Sequence, residues 1–254
     1  MAGVTTMSDA TKKTRKVALV TGGNKGIGFE VGRQLGRAGM MVLLGARNQN
    51  LGDAAAAKLR EEDGSEARSI LLDLSNRETI TNAAKLIASE YGHLDVLVNN
   101  AGIADPNDGP PSSANIAAVR RVFETNFFGT LEVTQAMLPL IRKSEAGRIV
   151  NVSSGLGSLT YNGDPNWEFA GVKRMGYNGS KAALNMMTVQ LAFELRDTPI
   201  KVNAANPGFT ATDLNQHRGT QTVEEGAEET VRLALLPADG PSGGFFERTG
   251  PNPW

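Results

Sequence analysis

Short apolar runs alternate with longer amphipathic segments through most of this chain, and this alternation limits its fold more than any other feature. Each run is four or five residues long, with the β-branched content of a buried strand. Between the runs, apolar residues recur at three- and four-residue spacing, which predicts helices. The predicted strands are 17–20, 41–45, 69–72, 95–98, 148–152 and 200–204, and the predicted helices are 26–38, 51–62, 77–91 and 114–142.

The lengths of these intervals predict an α/β fold. Parallel strands need a crossover of a dozen or more residues, so we expect one doubly wound parallel sheet with helices on both faces. Residues 16–254 are predicted to form a single catalytic domain, and the basic segment 1–15, which has no apolar run, is predicted to be a flexible polar tail. The Pro- and Gly-rich patches at 105–111 and 237–244 are interpreted as surface loops.

The charge balance and the absence of cysteine exclude several classes of function. The chain has 26 Lys and Arg against 27 Asp and Glu, so no charge excess favours nucleic acid or an anionic membrane as a partner. A small molecule held in a pocket is the expected partner. Without cysteine there are no disulfides or thiolate metal sites, which suits a reducing cytoplasm. No run of about 18 apolar residues predicts a membrane span.

The first predicted strand leads directly into a glycine-rich turn that opens the first predicted helix. Gly22 permits a tight turn, Gly26 lets backbone amides approach a pyrophosphate, and Gly28 permits close packing of helix and strand. The positive end of the helix then faces the phosphates. A purely structural strand-to-helix turn is the alternative interpretation. The segment reads Thr21-Gly22-Gly23-Asn24-Lys25-Gly26-Ile27-Gly28.

The end of the second predicted strand indicates which dinucleotide is bound. In sites that prefer NAD, an acidic residue there binds the ribose 2′-hydroxyl. Here the strand ends in Leu44-Gly45-Ala46-Arg47-Asn48, without a carboxylate. Arg47 and Lys25 are instead predicted to hold a 2′-phosphate, so the sequence indicates NADP. The alternative is that both are ordinary solvated surface charges.

Tyr177 and Lys181 stand four residues apart at the start of a helical pattern, so their side chains share one helix face. An isolated phenol titrates near pH 10 and is a poor acid or base at neutrality. A nearby ammonium, aided by an oxidised nicotinamide, is expected to bring the pKa of Tyr177 toward ~7. Taken alone, such a pair on a helix is common, and the order of the other motifs gives it weight.

Seven motifs occur in one order along the chain: Gly22-Gly23-Asn24-Lys25-Gly26-Ile27-Gly28, Asp73-Leu74, Asn99-Asn100-Ala101-Gly102, Asn126, Ser153-Ser154, Tyr177 with Lys181, and Pro207-Gly208. This set resembles the short-chain dehydrogenase/reductase family, which implies a Rossmann-type sheet. The match runs from Val17 to about Leu214. Within the family, the glycine-rich turn, Asn126-Phe127-Phe128-Gly129 and the stretch between Ser154 and Tyr177 most resemble the carbonyl reductases.

The resemblance implies a role for each member of the catalytic set. Ser154 would hydrogen-bond the substrate carbonyl, and Tyr177 would protonate its oxygen as hydride arrives from the nicotinamide. Lys181 would also hold the nicotinamide ribose, and Asn126 would position a water that links Lys181 to solvent. Fixed donors at a carbonyl oxygen agree with this reading, because negative charge develops there during the reaction.

The cofactor residues also follow from the motifs and the resemblance. Asp73 would contact the adenine, and Thr210 and Thr212, in the loop after the sixth strand, would bind the nicotinamide carboxamide. The full predicted set is Gly22, Asn24, Lys25, Gly26, Ile27, Gly28, Arg47, Asn48, Asp73, Leu74, Asn100, Ala101, Gly102, Tyr177, Lys181, Pro207, Gly208, Thr210 and Thr212.

Ser154 and Tyr177 lie 23 positions apart, which implies an insertion relative to many members of the family. Its Trp167 and Phe169 either cover the substrate or pack locally, and Tyr161 is interpreted as a wall residue. The insertion also lies beside the helix whose pairing builds tetramers in many relatives, so formation of a homo-oligomer stays open. Of the neighbours Ser153 and Ser154, only one can reach the site from a strand, and the family pattern selects Ser154.

Two further features receive no catalytic role. His93 and His217 lack metal-ligand spacing and are interpreted as surface or loop residues, so no metal is expected. The segment Gly244-Phe245-Phe246 either borders the substrate pocket or anchors the C-terminal segment on the core, and the second is favoured. The sequence thus predicts reduction of a ketone or aldehyde by NADPH, with an oxoacyl or polyketide reductase and a non-catalytic NADP-binding regulator as alternatives.

Overall fold

An eight-stranded sheet forms the centre of the structure, a computed structural model that describes residues 15–254. The strands are β1 (Val17–Thr21), β2 (Met41–Ala46), β3 (Ala67–Leu71), β4 (Val96–Asn99), β5 (Arg148–Val152), β6 (Lys201–Ala205), β7 (Phe245–Glu247) and β8 (Gly250–Pro251). Their spatial order is β3-β2-β1-β4-β5-β6-β7-β8, and all neighbours are parallel except β7 with β8. The predicted doubly wound fold is therefore confirmed, with two short strands added that were not predicted.

Helices cover both faces of the sheet. They are α1 (Gly26–Arg37), α2 (Gln49–Asp63), α3 (Arg77–Glu90), α4 (Ile116–Phe123), α5 (Thr130–Ile141), α6 (Leu159–Gly163), α7 (Met175–Glu194) and α8 (Val223–Ala234). The single helix predicted over 114–142 is divided by a π-helical segment, Glu124–Gly129, that joins α4 to α5. Such wide turns are rare and often occur at functional sites. The last helix, α8, was not predicted.

The burial of the strands explains their sequences. Every residue of β1, β2, β4 and β5 is buried, which is why these strands are nearly continuous apolar runs. The edge strand β3 instead mixes buried and exposed residues. Alternate residues of β1 and β2 enter two apolar clusters, with Leu19 and Leu43 on one face and Val20 and Leu44 on the other. Both faces are thus filled, so the carboxyl ends of the strands remain as the edge where a ligand can bind.

The two ends of the chain are described differently. The predicted flexible tail lies outside the described residues except for Arg15, whose guanidinium pairs with Glu66. At the other end, Phe245 is buried and its ring stacks on Trp254 with 5.4 Å between centroids. This packing agrees with the expected anchoring of the C-terminal segment. Within residues 15–254, no helix has the length and apolar character that crossing a membrane requires.

Candidate active site

A cleft of about 1860 Å³ runs along the carboxyl ends of the central strands. Pockets for one small ligand measure about 300–1,000 Å³, so this cleft has room for a dinucleotide and a substrate together. Open α/β sheets bind their ligands at this edge. Every predicted site residue lines the cleft except Asn126.

The glycine-rich turn after β1 has a shape that only glycine permits. The φ angles of Gly22 and Gly26 are +63° and +55°, and a Cβ on Gly28 would lie 2.6 Å from the carbonyl oxygen of Gly22. The helix α1 begins here with no side-chain cap and no acidic residue in its first turn. The first backbone amides of α1 therefore have no side-chain partners and remain available to bind a pyrophosphate in the cleft. A plain turn does not need this combination.

Side chains after β4 hold that turn in place. The Asn100 side-chain amide donates to the carbonyl oxygen of Thr21 at 2.9 Å. In return, the Thr21 hydroxyl accepts the backbone amides of Asn100 and Ala101 at 3.0 Å each. Gly102 lies next to Lys181, because a Cβ there would come within 3.5 Å of the Lys181 ammonium. The predicted Asn-Ala-Gly motif thus lies between the glycine-rich turn and α7, the helix that carries Tyr177 and Lys181.

Arg47 and Lys25, the two residues predicted to bind a 2′-phosphate, have different surroundings. Arg47 lines the cleft in an exposed position, and none of the hydrogen bonds or ion pairs formed within residues 15–254 involves it. The Lys25 ammonium lies 2.6 Å from the Asp213 carboxylate, in the loop after β6, and holds the pKa of that carboxyl below its usual value. The Asn48 side chain caps α2 by accepting the Leu51 amide at 3.1 Å.

At the end of the third strand, Asp73 and Leu74 line the cleft next to the predicted adenosine site. The Asp73 carboxylate accepts hydrogen bonds from the backbone amide and the hydroxyl of Ser75, at 2.9 and 2.7 Å. Leu74 is buried and packs against Gly129, where a Cβ would lie 2.7 Å from that of Leu74. These contacts fix the wall of the cleft after β3, next to the end of β2 that Arg47 follows.

Tyr177, Ser154 and Lys181 meet at the other end of the cleft. The Ser154 hydroxyl lies near the Tyr177 phenol and acts to lower its pKa. The Lys181 ammonium is 5.8 Å from the centre of the Tyr177 ring and donates to the backbone carbonyl of Val152 at 2.8 Å. Burial lowers the pKa of Lys181 to about 8. The ammonium is thus held between the tyrosine and β5.

Burial dominates the pKa of Tyr177 in the protein's own surroundings. It raises the pKa above its ordinary value, and the Ser154 hydroxyl and the Arg174 charge only partly oppose that rise. The lowering expected from Lys181 together with an oxidised nicotinamide stays a prediction, whereas the protein's own groups raise this pKa. The physical reason is that removing a phenolate from water costs more than these neighbours return.

The neighbouring serines at the end of β5 point in different directions. The Ser153 hydroxyl donates to the Asn185 side chain at 2.6 Å, in the packing against α7. Ser154 instead lies next to Tyr177, and its side chain also accepts the Leu156 amide at 3.2 Å. Both serines line the cleft, but the Ser153 hydroxyl is engaged by α7, so Ser154 is the one that lies beside Tyr177.

Asn126 lies on the π-helical segment, behind the cleft rather than in its wall. Its side chain is buried, accepts the Ile103 amide at 2.8 Å, and donates to the Ile103 carbonyl at 3.0 Å and to Ser180 at 3.1 Å. These bonds tie the π-helical segment to α7 and to the chain after β4. The predicted role at a water beside Lys181 stays a prediction.

The loop after β6 closes the cleft from the far side. Gly208 adopts a φ of +70°, and Pro207 accepts the Thr210 hydroxyl at 2.8 Å. Thr210 is buried, whereas the Thr212 methyl group faces the glycine-rich turn, 3.7 Å from where a Cβ of Gly26 would stand. Of the two predicted threonines, Thr212 thus faces the glycine-rich turn directly.

Aromatic rings from the insertion form one wall of the cleft. The Tyr161 and Trp167 rings stack with 5.0 Å between centroids, Trp167 meets Phe169 edge to face at 5.5 Å, and Phe169 contacts Phe209 at 5.6 Å. All four residues line the cleft, so Trp167 and Phe169 pack on their neighbours and also face its interior. We call Tyr161, Trp167, Phe169 and Phe209 the aromatic wall.

Three charged residues of this region escaped the sequence analysis. Arg174 and Glu247 line the cleft, and the Glu247 carboxylate is held by Asn206 at 3.0 Å and Thr249 at 2.8 Å. Asp108 caps α7 from a distant loop. Arginine is not a residue type that caps helices. Its position at the start of α7 was the one signal in the sequence that the first amides of this helix bind a group from elsewhere in the chain.

The two histidines lie in turns and loops, each beside an aspartate. His93 is 3.0 Å from Asp95, and His217 is 2.9 Å from Asp213. Within the described residues, no group of three His, Cys, Asp or Glu side chains comes close enough to hold a metal ion.

Comparisons with known proteins agree with this geometry. The family model for the short chain dehydrogenases matches residues 16–222. The chain is 38% identical to the short-chain dehydrogenase anuI of Penicillium roqueforti, over 87% of this chain and 89% of that protein. It is 36% identical to carbonyl reductase [NADPH] 1 of Mus musculus, over 95% and 99%.

Solved structures give the same result. Salutaridine reductase from Papaver somniferum superposes with a TM-score of 0.79 at 32% identity, over 92% of this chain and 100% of that one. A short chain dehydrogenase from Shigella flexneri complexed with NADP has a TM-score of 0.77 at 30% identity, over 91% and 96%. On the strength of its sheet, its cleft and these matches, the chain belongs to the short-chain dehydrogenase/reductase family of oxidoreductases.

Proposed function

We propose that this protein reduces a ketone or aldehyde to an alcohol with NADPH as the hydride donor. The observation that carries the proposal is the meeting of Ser154, Tyr177 and Lys181 in the cleft that also contains the glycine-rich turn. Groups that donate hydrogen bonds and a proton thus share one cavity with a phosphate cradle. A cofactor-binding regulator needs the cradle but has no use for the buried donors.

The residues fit a bound NADP. The first amides of α1 and the open space at Gly26 suit the pyrophosphate, and Arg47 is free of partners within the described chain to bind a 2′-phosphate. When bound, the nicotinamide supplies the hydride. The names of two similar proteins support this choice of cofactor, since one is carbonyl reductase [NADPH] 1 and the other is a complex with NADP.

The protein's own groups would manage charge and protons at the substrate oxygen. Ser154 would donate a hydrogen bond to the carbonyl oxygen, and Tyr177 would transfer its phenolic proton there as negative charge develops. Because burial raises the pKa of this phenol, Tyr177 keeps its proton until the substrate oxygen becomes basic enough to accept it. The Lys181 ammonium, fixed by Val152, would then stabilise the phenolate.

The aromatic wall favours a substrate with a substantial apolar body, such as a cyclic ketone. Four rings along one side of the cleft would bury such a body beside Tyr177. Several similar proteins are named for compounds of this size, including (+)-neomenthol dehydrogenase from Capsicum annuum and (-)-isopiperitenone reductase from Mentha piperita. Residues 16–254 would act as one domain, built around the continuous sheet, in the cytoplasm.

The test is a measurement of NADPH oxidation with a panel of cyclic ketones, linear ketones, aldehydes, quinones and ketoesters. We expect turnover with NADPH to exceed turnover with NADH, and cyclic ketones to give the highest kcat/KM. The alcohol product should be identified by mass, which excludes uncoupled oxidation of the cofactor. No reduction of any member of the panel, by protein that binds NADPH in a fluorescence titration, would reject the proposal in favour of a regulator.

A further inference from the structure

The helix that carries Tyr177 and Lys181 does not cap its own N-terminus. Arg174, at the N-cap of α7, gives no side-chain hydrogen bond, and the first turn has no acidic residue. The first amides of the helix are satisfied from elsewhere in the chain. Met175 donates to the carbonyl oxygen of Gly109 at 2.8 Å, and Gly176 and Tyr177 donate to the two carboxylate oxygens of Asp108 at 2.9 and 2.8 Å.

This contact is close, because Gly176 has no side chain. A Cβ at Gly176 would lie 2.9 Å from a carboxylate oxygen of Asp108 and 3.1 Å from the backbone of Val119. Glycine therefore lets the carboxylate reach two consecutive amides of the helix. One of these amides belongs to Tyr177 itself, so the carboxylate holds the backbone from which the phenol extends.

The loop that supplies Asp108 is fixed at two points before that residue. It starts at Gly102 and Ile103, where the Asn126 side chain binds both the amide and the carbonyl of Ile103. Farther along, the Asp105 carboxylate accepts two hydrogen bonds from Arg121 on α4, at 3.0 and 2.7 Å, and its carbonyl accepts the amide of Asp108 at 3.1 Å. Asp108 is thus supported by α4 and the π-helical segment.

We propose that Asp108 is a positioning residue for the reaction, a role that rests on the proposed function. It would fix the position of the Tyr177 backbone relative to the chain after β4, which lines the predicted nicotinamide end of the cleft. Asp108 would touch neither substrate nor cofactor in this role. It would act through the backbone of the tyrosine and keep the phenol within reach of the substrate oxygen.

The chemistry of the contact predicts an order among variants. Two N–H donors need two acceptor atoms, which a carboxylate provides and which its charge strengthens. Asp108→Asn retains one acceptor and turns an NH₂ group toward the second amide, and Asp108→Ala removes both acceptors. We therefore expect kcat to fall in the order wild type, Asp108→Asn, Asp108→Ala.

The size of the effect follows from geometry. A misplacement of about 1 Å at a reacting group costs about a hundredfold in rate, so Asp108→Ala should lower kcat by about ten- to a hundredfold. The KM for NADPH should change less than about twofold. The deuterium isotope effect with NADPH labelled at the transferred hydride should rise, because the chemical step then limits turnover more fully.

Asn76→Ala is the matched control. The Asn76 side chain caps α3 by accepting the Glu78 amide at 3.0 Å, and α3 carries none of the proposed catalytic residues. This variant loses a helix cap of the same kind, so it measures the effect of lost stability alone. Its kcat per NADPH-binding site and its isotope effect should equal those of the wild type.

Hydrogen exchange gives a readout that does not depend on turnover. Peptides covering 174–178 should exchange faster in both Asp108 variants than in the wild type, and Asp108→Asn keeps the test valid if Asp108→Ala does not fold. Faster exchange together with a wild-type kcat and isotope effect would overturn the positioning role, as would unchanged exchange. A wild-type protein that reduces no member of the panel would instead reject the proposed function, and the positioning role with it.

Discussion

The ammonium of Lys181 donates a 2.8 Å hydrogen bond to the backbone carbonyl of Val152, the last residue of β5. The lysine is therefore fixed by the sheet itself, at the residue that directly precedes Ser153 and Ser154. Because only 4% of its surface is exposed, its charged form is destabilised and its pKa falls to about 8. This combination makes the charge of Lys181 sensitive to pH near neutrality.

Lys181 should set the alkaline limb of the pH profile for carbonyl reduction. Lys181 loses its proton as pH rises through about 8, whereas the raised pKa of Tyr177 keeps the phenol protonated there. The value of kcat/KM for carbonyl reduction should therefore decline above pH 8, and the measurement is its profile between pH 6 and 10. A flat profile up to pH 9 would contradict the assigned role of the ammonium.

Tyr177→Phe should lower kcat by about 10²–10⁴-fold, because it removes the proposed proton donor. NADPH affinity, measured by fluorescence titration, should stay within a few-fold of wild type. Tyr91→Phe is the control, since Tyr91 directly follows α3 and its hydroxyl lies 3.4 Å from Arg68, outside the cleft. Wild-type turnover in Tyr177→Phe would mean that another group supplies the proton.

Arg47→Asp should shift cofactor preference from NADPH toward NADH by about ten- to a hundredfold. A hydrogen bond to a charged group contributes about 1.5–3 kcal/mol, and the new carboxylate also repels a 2′-phosphate. The measurement is the ratio of kcat/KM values for the two cofactors. Arg77→Asp changes the same charge on α3, outside the cleft, and should leave that ratio unaltered. If the NADPH to NADH ratio of kcat/KM in Arg47→Asp equals that in Arg77→Asp, Arg47 does not bind the phosphate.

Trp167→Ala should raise the KM for cyclic ketones more than the KM for a small aldehyde. The ring contacts both Tyr161 and Phe169 and faces the cleft, so its loss opens the aromatic wall. A large substrate loses contact area that a small one never had. Parallel kinetics with the two substrate classes give the comparison. An equal change for both would indicate that the ring serves only local packing.

Arg148→Met should destabilise the fold by about 3 kcal/mol or more without a change in cofactor preference. Its buried guanidinium donates to the carbonyls of Leu236, Pro237 and Pro199, which the variant leaves without donors. Urea unfolding measures the loss. Arg142→Met is the control. Its exposed side chain makes one long ion pair with Glu194, at 3.5 Å, so this variant should change the urea midpoint little.

Local patterns in the sequence were enough to predict the six main strands and the residues that follow them. A buried parallel strand must be apolar on both faces, so β1, β2, β4 and β5 are visible as apolar runs. The three-residue strand β7 is too short to show any period, and its place beside β6 depends on tertiary packing. Ser154 and Tyr177 were placed together in advance by the resemblance to the short-chain dehydrogenase/reductase family, not by these local patterns.

Contacts between distant segments were not predictable in this way. Lys25 pairs with Asp213, 188 positions away, and Asp108 reaches the amide of Tyr177 across 69 positions. Neither contact leaves a local signature, because each depends on how two loops converge at the end of the sheet. The opposing effect of burial on the pKa of Tyr177 was not predicted for a related reason, since burial is a property of the folded chain.

The wide turn at Glu124–Gly129 has a consequence for how this region can vary. It sets the rotational phase between α4 and α5, so that Asn126 faces inward to Ile103 and Ser180 while α5 still packs on the sheet. Losing one residue here would turn everything that follows by about 100°, one step of an α-helix. This stretch should therefore tolerate changes of side chain far better than changes of length, and alignments of its relatives should show no gaps there.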